Sequence, residues 1–202
     1  VQFAVAFSTF IFNIVLMIRI GEMGVSAFSI ILYIASLVIA IFSGICNGIS
    51  PIISFNYGAN NKDRINKILK IAILTIIIIG ISSTILMIFG GETLIKMFSK
   101  GDAELIRITA EATKLYSVAF VFNGLNILTS AYFTALEDAK TSAIISVLRG
   151  VILILIFIII LPIILGDIGI WLTVPASELV TVFIAVNYMK KADLKIQKMK
   201  IA

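Results

Sequence analysis

Long apolar runs separated by short charged segments dominate the pattern of residues along this chain. Asp, Glu, Lys and Arg are absent from residues 1–18, 23–61, 71–91 and 115–136. Each run is long enough to cross the hydrocarbon core of a bilayer, which takes about 20 helical residues. We expect an all-α, polytopic membrane protein without a soluble domain. The six predicted membrane-spanning helices lie at about residues 1–20, 24–49, 68–91, 113–136, 141–165 and 168–189.

Composition supports a membrane protein and excludes much catalysis. Hydrophobic residues make up 60% of the chain and charged residues 13%, whereas a soluble domain carries about 25% charge. Without histidine and with one cysteine, Cys46, the chain offers no His-dependent triad, no His or Cys metal site and no intrachain disulfide. We therefore expect neither an enzyme nor a metal or organic cofactor. The basic residues lie at the ends of apolar segments, which disfavours nucleic acid as a partner.

The distribution of basic residues predicts the orientation in the membrane. The connection 51–70, the turn 137–140 and the C-terminal tail hold ten Lys and Arg, while the opposite connections hold five. Cytoplasmic connections carry the excess of basic residues, so the C-terminus is expected in the cytoplasm. In the outer connection 92–114, Ser99 and Asp102 are possible N-caps of an amphipathic helix at the membrane interface.

Polar, uncharged side chains form a stripe along one face of the second predicted span. Steps of three and four residues place them together, and nothing polar faces the other way. Such a stripe meets either other helices or a water-filled cavity, and the sequence leaves both open. The first and fourth spans have similar faces, which would suit a cavity for amphipathic organic molecules or a polar helix interface. The candidate cavity residues are Thr9, Asn13, Ser29, Tyr33, Ser36, Ser43, Asn47, Asn123, Asn126 and Ser130.

Glu178 lies at the middle of the membrane in the last predicted span. It is 11 residues from Asp167 and 12 from Lys190, or roughly 16 to 18 Å from each end of the helix. One interpretation is a proton or cation relay, because intramembrane carboxylates mark ion pathways. The alternative is a structural pair with Arg149, which lies at a similar depth on the preceding antiparallel helix. Both interpretations stay open at this level.

A motif follows the second span: Gly48-Ile-Ser-Pro51-Ile-Ile-Ser54-Phe-Asn-Tyr57-Gly58-Ala59, and then Asn-Asn-Lys-Asp-Arg64. It resembles the connection between the second and third helices of each lobe in the multidrug and toxic compound extrusion (MATE) family. The order of Pro, Ser, Tyr, Gly, Ala and Arg carries the resemblance. Further matches to the family include Leu148-Arg149, Pro175 and Glu178.

The resemblance implies one half of a two-lobed transporter. Family members have twelve spans in two six-helix lobes, and this chain, residues 1–202, is similar to the C-terminal lobe. The implied protein is a secondary active antiporter of a prokaryotic plasma membrane that exports cationic lipophilic compounds in exchange for protons or sodium ions. It works by alternating access, which needs the N-terminal lobe as a partner. The chain has no initiator Met, so we expect a fragment or a processed half.

One departure from the family pattern concerns the coupling ion. Sodium-coupled members carry acidic residues in the first and fourth helices of this lobe. Here those helices contain none, and Asn126 occupies the fourth-helix position. The pattern is closer to the proton-coupled prokaryotic branch, which uses an aspartate in the N-terminal lobe.

Three other functions compete with the antiporter. A flippase for lipid-linked oligosaccharides has the same architecture, but its cavity would need cationic residues for a pyrophosphate, and Arg149 is the only cation that lies deep within a predicted span instead of near its end. A structural membrane subunit would use the polar stripes for packing alone. An intramembrane protease is disfavoured, because no Ser-His or Asp-Asp pair is available.

Overall fold

The computed structural model describes residues 2–99 and 101–199, with side chains for 6–99 and 101–191. These residues fold into helices joined by short turns, and the described ranges contain no strand. The prediction of an all-α fold is confirmed. The helices are α1 Gln2–Arg19, α2 Glu22–Gly58, α3 Lys62–Phe98, α4 Ala103–Ser117, α5 Ala119–Ala135, α6 Ala139–Val147, α7 Leu153–Leu165 and α8 Asp167–Met199, with a π-helix at Leu148–Ile152 between α6 and α7.

Several of these helices are long and apolar enough to cross a membrane. Four segments meet this condition: Glu22–Gly58, Lys62–Phe98, Ala139–Leu165 and Asp167–Lys191. Helices α4 and α5 would together make a fifth span, bent by 46°. The described part of α1, Ala6–Arg19, is apolar but shorter. The chain is therefore a multi-pass membrane protein, and six spans remain a prediction.

The predicted connection 51–70 is almost entirely helical, and the span boundaries on either side of it stay a prediction. Helix α2 continues through Pro51 to Gly58, and α3 begins at Lys62. Proline removes one backbone donor from a helix, but Ile53 and Asn56 beyond it are buried, and this packing keeps the helix intact. The charged residues of this connection belong to the first turns of α3.

The outer connection also differs from its prediction at one end. Helix α3 extends to Phe98, and Ser99 is its C-cap instead of an N-cap. Asp102 caps α4, because its carboxylate accepts hydrogen bonds from the backbone N–H groups of Glu104 and Leu105, both at 3.0 Å. A helix is therefore present after Asp102, and its location at the membrane interface stays a prediction.

Helix α5 is the centre of the bundle and contacts α2, α3, α6 and α8. Glycines allow it to approach its neighbours closely. A Cβ atom at Gly80 of α3 would lie 2.9 Å from the Cα atom of Val121, and one at Gly124 would lie 2.6 Å from a methyl group of Ile76. Real Cβ atoms essentially never show such distances, so small residues are required where α3 and α5 touch.

A tight turn sets α8 against α7. Gly166 has φ +65° between the two helices, a left-handed conformation that glycine adopts at no steric cost. Three residues later, a Cβ atom at Gly169 would lie 2.2 Å from the carbonyl oxygen of Leu161. The two backbones therefore touch at the start of α8, which fixes the depth of Glu178 relative to the π-helix.

The close contact at Gly80 gives the first prediction. We expect Gly80→Ala to destabilise the protein by about 1–3 kcal/mol, because overpacking would force the α5 backbone away from α3. The matched control is Gly90→Ala on the same helix, where the new Cβ atom meets only the end of the Leu86 side chain at 3.5 Å. Thermal unfolding in detergent should show a lower Tm for the first variant alone. Equal Tm values for both variants would contradict the prediction.

Candidate functional site

A cluster of buried polar groups surrounds the carboxylate of Glu178, which is 4% exposed. The amide nitrogen of Asn123 donates to its Oε1 atom at 2.7 Å, and that of Asn126 donates to its Oε2 atom at 2.6 Å. The Asn126 nitrogen also lies 2.9 Å from the backbone oxygen of Glu178. Arg149 adds an ion pair, with its Nε atom 3.8 Å from Oε1. Each carboxylate oxygen thus has a donor inside the bundle.

Local helix geometry places these four side chains. Asn123 and Asn126 are three residues apart, so they lie on one face of α5. Arg149 lies in the π-helix, whose wider turn is frequent at functional sites. Its Nη1 atom donates to the backbone oxygen of Asn123 at 3.4 Å. The guanidinium therefore bridges the α5 backbone and the carboxylate of α8.

The two asparagines have hydrogen-bonding capacity left over. Their Oδ1 atoms are buried and have no partner among the described residues. Unpaired buried acceptors cost free energy and usually indicate ordered water or an ion. The cluster can therefore accept further hydrogen-bond donors, such as water, next to the carboxylate.

The cluster borders a partly open cavity of about 160 Å³, which is lined by residues of every described helix except α3. This volume holds several water molecules but is below the roughly 300–1,000 Å³ of a pocket for a drug-sized molecule. The cavity is thus suited to water and a small ion, and a large organic substrate would need space outside this bundle. Its polar lining consists of Ser8, Thr9, Tyr116, Asn123, Ser146, Arg149 and Glu178.

Several residues predicted from the sequence meet at this cavity. Thr9, Asn123, Arg149 and Glu178 line it. Asn126 is outside the lining but donates to the carboxylate of Glu178. Asn13 is half-buried on α1, and its Oδ1 atom has no partner in the described part of the chain. Ser130 lies farther along α5, where its hydroxyl is 3.3 Å from that of Ser146.

The stripe on α2 lies elsewhere, on the outside of the bundle. Ser29, Tyr33, Ser36 and Asn47 are exposed and Ser43 is half-buried, and none of them lines the cavity. The hydroxyl groups of Ser29 and Ser36 donate to backbone oxygens of their own helix. The apolar side chains of Phe28, Leu32 and Ile39 form the α2 wall of the cavity instead.

The motif at the end of α2 closes one end of the bundle. Ser54 donates to the backbone oxygen of Ala135 at 2.9 Å, which ties α2 to α5. Tyr57 packs against the small core at this end. The remaining members are Gly48 and Pro51, both exposed within α2, Gly58 and Ala59 at its C-terminus, and Arg64, whose backbone N–H donates to the N-cap Asn61.

Sequence reasoning missed two residues of the cavity and the π-helix beside it. Ser8 donates to the backbone oxygen of Gly150, which anchors α1 to the π-helix. Ser146 lies on the cavity wall. A signal existed for Ser146, because Ser142, Ser146 and Arg149 follow a helical spacing that forms a polar face on an otherwise apolar segment. No pattern in the sequence indicated the π-helix.

The described part of the chain shows no metal site of the usual kind. The described residues contain no group of three His, Cys, Asp or Glu side chains that could hold a metal ion. The chemistry available at the cavity is therefore that of one carboxylate, one guanidinium, amides and hydroxyls. These groups can bind and release a proton or a small cation.

Comparisons with known proteins agree with this architecture. The sequence profile of the MatE family matches residues 1–165. The multidrug export protein MepA of Staphylococcus saprophyticus subsp. saprophyticus is 25% identical over 134 residues, which cover 66% of this chain and 29% of that protein. The chain thus spans less than a third of the curated relatives it matches.

Solved structures share the fold at low sequence identity. A crystal structure of MATE in complex with MaL6 has a TM-score of 0.91 at 18% identity, over 98% of this chain and 45% of that one. The outward-facing conformation of a multidrug resistance MATE family transporter of the MOP superfamily has a TM-score of 0.90 at 20% identity, over 98% and 44%. With most of its length matched by the family profile, the chain belongs to the MatE family of membrane transporters.

Proposed function

We propose that this chain is the C-terminal lobe, residues 1–202, of a twelve-helix multidrug efflux antiporter. The complete protein would export cationic lipophilic compounds from a prokaryotic cell in exchange for protons or sodium ions, and this lobe would take part in the coupling. The observation that carries the proposal is the carboxylate of Glu178. It is buried, paired with Arg149 and next to a cavity suited to water and a small ion. The chain that holds it belongs to a family of transporters.

The outward stripe of α2 supports a second lobe as the partner. Lipid cannot satisfy hydroxyl and amide groups, so a face with Tyr33, Ser43 and Asn47 suits a cleft that holds water and substrate. This chain covers 45% of the MATE chain solved with MaL6, which leaves a comparable length for another lobe. The substrate would bind between the two lobes, because the cavity inside this one is too small.

The charges favour a cytoplasmic location for the end of the bundle that holds the α2–α3 and α5–α6 turns. Lys62, Arg64, Lys67 and Lys140 lie there, close to the predicted membrane boundary. Basic residues accumulate on the cytoplasmic side of membrane proteins. In this orientation the Arg19–Asp167 ion pair, at 3.1 Å, lies at the outer end of the lobe.

Transport by the full-length protein is the first test. Everted vesicles should move a fluorescent lipophilic cation under an imposed proton gradient or a sodium gradient, and the effective gradient identifies the coupling ion. Vesicles without the transporter provide the control. If neither gradient moves the cation although the protein is folded and inserted, drug antiport is wrong, and lipid-linked substrates of a flippase become the next assay.

A substitution at Glu178 tests its role in coupling. We expect Glu178→Gln to reduce gradient-driven transport to the level of empty vesicles, because the amide cannot take up and release a proton. Substrate binding without a gradient should persist. Glu111→Gln is the matched control, since Glu111 is exposed and pairs with Arg107 one turn away.

The opposite result would assign Glu178 to the scaffold. Coupled transport that survives in Glu178→Gln, together with a lower yield of folded protein, would mean that Glu178 and Arg149 act as a structural pair. A purely structural role is physically reasonable, because breaking a buried ion pair commonly costs about 3–5 kcal/mol.

Cysteine accessibility tests the predicted cleft. In a Cys46→Ala background, single cysteines at positions 29, 36, 43 and 47 should react with a membrane-impermeant thiol reagent in the full-length transporter. A cysteine at Ala35, on the buried face of α2, and one at Ile78, on an exposed apolar face of α3, should not react. Resistance at all four stripe positions would contradict a water-filled cleft along α2.

A further inference from the structure

A line of hydroxyl groups runs between α5 and α6 and ends at the cavity. The hydroxyl of Thr134 donates to that of Ser142 at 2.8 Å. About one helical turn farther into the bundle, the hydroxyls of Ser130 and Ser146 are 3.3 Å apart, and either can be the donor. We refer to Ser130, Thr134, Ser142 and Ser146 as the hydroxyl seam.

The seam connects the end of the bundle with the buried carboxylate. Thr134 is exposed near the α5–α6 turn, and Ser146 lies on the wall of the cavity that also contains Arg149 and Glu178. Thr134 and Asn123 are 11 residues apart on α5, a distance of about 16 Å along the helix. The seam covers about 6 Å of it, from Thr134 to Ser130, and the cavity lies between the seam and Glu178. Together they cross the apolar segment between the predicted cytoplasmic surface and Glu178.

Interhelical hydrogen bonding alone is the simplest role for such hydroxyls. Two features favour a role for these hydroxyls beyond holding the two helices together. The seam opens into a cavity that contains an ionisable group, and the cavity holds unpaired polar capacity in the Oδ1 atom of Asn123. In addition, a hydroxyl both donates and accepts, so every member of the seam can relay a proton, which an amide does poorly.

We infer that the hydroxyl seam is the path by which protons move between the cytoplasmic end of this lobe and Glu178. The inference rests on the proposed role of Glu178 in proton coupling. Each hydroxyl accepts a proton from one side and releases its own to the other, with water bridging the turn of about 5–6 Å between the two pairs. One proton moves, and every hydroxyl is regenerated when the relay reorients.

The path ends when the carboxylate of Glu178 takes up the proton or gives it back. Among the described residues, the titratable and charged groups facing it at the cavity are Arg149, from the π-helix, and Tyr116, from α4. The asparagines of α5 and the hydroxyls of α8 add no charge. Uptake of a proton would neutralise the carboxylate of Glu178 and leave the positive charge of Arg149 without its partner, which gives the lobe two electrostatic states.

A matched pair of substitutions at Ser146 tests the path. Ser146→Thr keeps a hydroxyl, whereas Ser146→Val introduces a side chain with the shape of threonine but without the hydroxyl. In the full-length transporter, proton-driven efflux should be at least about tenfold slower for Val than for Thr, because one relay step loses its donor and acceptor. Substrate binding and Tm should be the same for both variants. Ser82→Val, at an exposed position of α3, should match the wild type.

Thr134 provides a second test at the exposed end of the seam, in case both Ser146 variants fail to fold. There Thr134→Ser keeps the hydroxyl, and Thr134→Val removes it at nearly constant volume. Equal rates of proton-driven efflux for the hydroxyl and Val variants would overturn the path while leaving proton coupling intact. A wild-type protein driven only by sodium would overturn the path together with the proton coupling on which it rests.

Discussion

The carboxylate of Glu178 is the group around which three separate chain segments meet. An ionised group inside a membrane is costly unless it is paired, and Glu178 receives donors from two asparagine amides and a guanidinium. These partners come from α5 and from the π-helix, so the carboxylate ties α8 to both. Helix α8 is thus held at its start by backbone contact with α7 and near Glu178 by these polar contacts.

Close packing of α5 makes this arrangement possible. Helix α5 reaches the centre of the bundle because Gly80 and Gly124 remove side chains where it meets α3 and α2. Its opposite face is then free to carry Asn123 and Asn126 toward α8. Tight packing on one side and polar contacts on the other are thus two consequences of the same helix position. The hydroxyls of Ser130 and Thr134 continue the polar face toward the end of α5.

Two polar surfaces with different surroundings divide the tasks of the lobe. The inner surface encloses a cavity of ion size around Glu178, while the stripe of α2 faces outward and is mostly exposed. The proposed antiport would use both kinds of surface, since a coupling ion and a drug differ greatly in size. The two surfaces lie on neighbouring faces of α2, so the ion and the substrate would each have a separate binding surface. Movement of one lobe against the other would then link the two sites.

The helical class and several spans followed from the sequence, because charges are so costly in a bilayer that most of them lie at the ends of helices. The sequence also placed Asn123 and Asn126 on one face, since residues three positions apart are neighbours on the surface of any α-helix. Hydropathy reports membrane depth and not hydrogen bonding, so it ended α2 near residue 49 although the helix continues through Pro51 to Gly58. The tertiary structure alone decided the remaining features. The π-helix that holds Arg149, the meeting of Ser130 with Ser146 and the outward direction of the α2 stripe all depend on the register and rotation between helices distant in sequence, which no local pattern specifies.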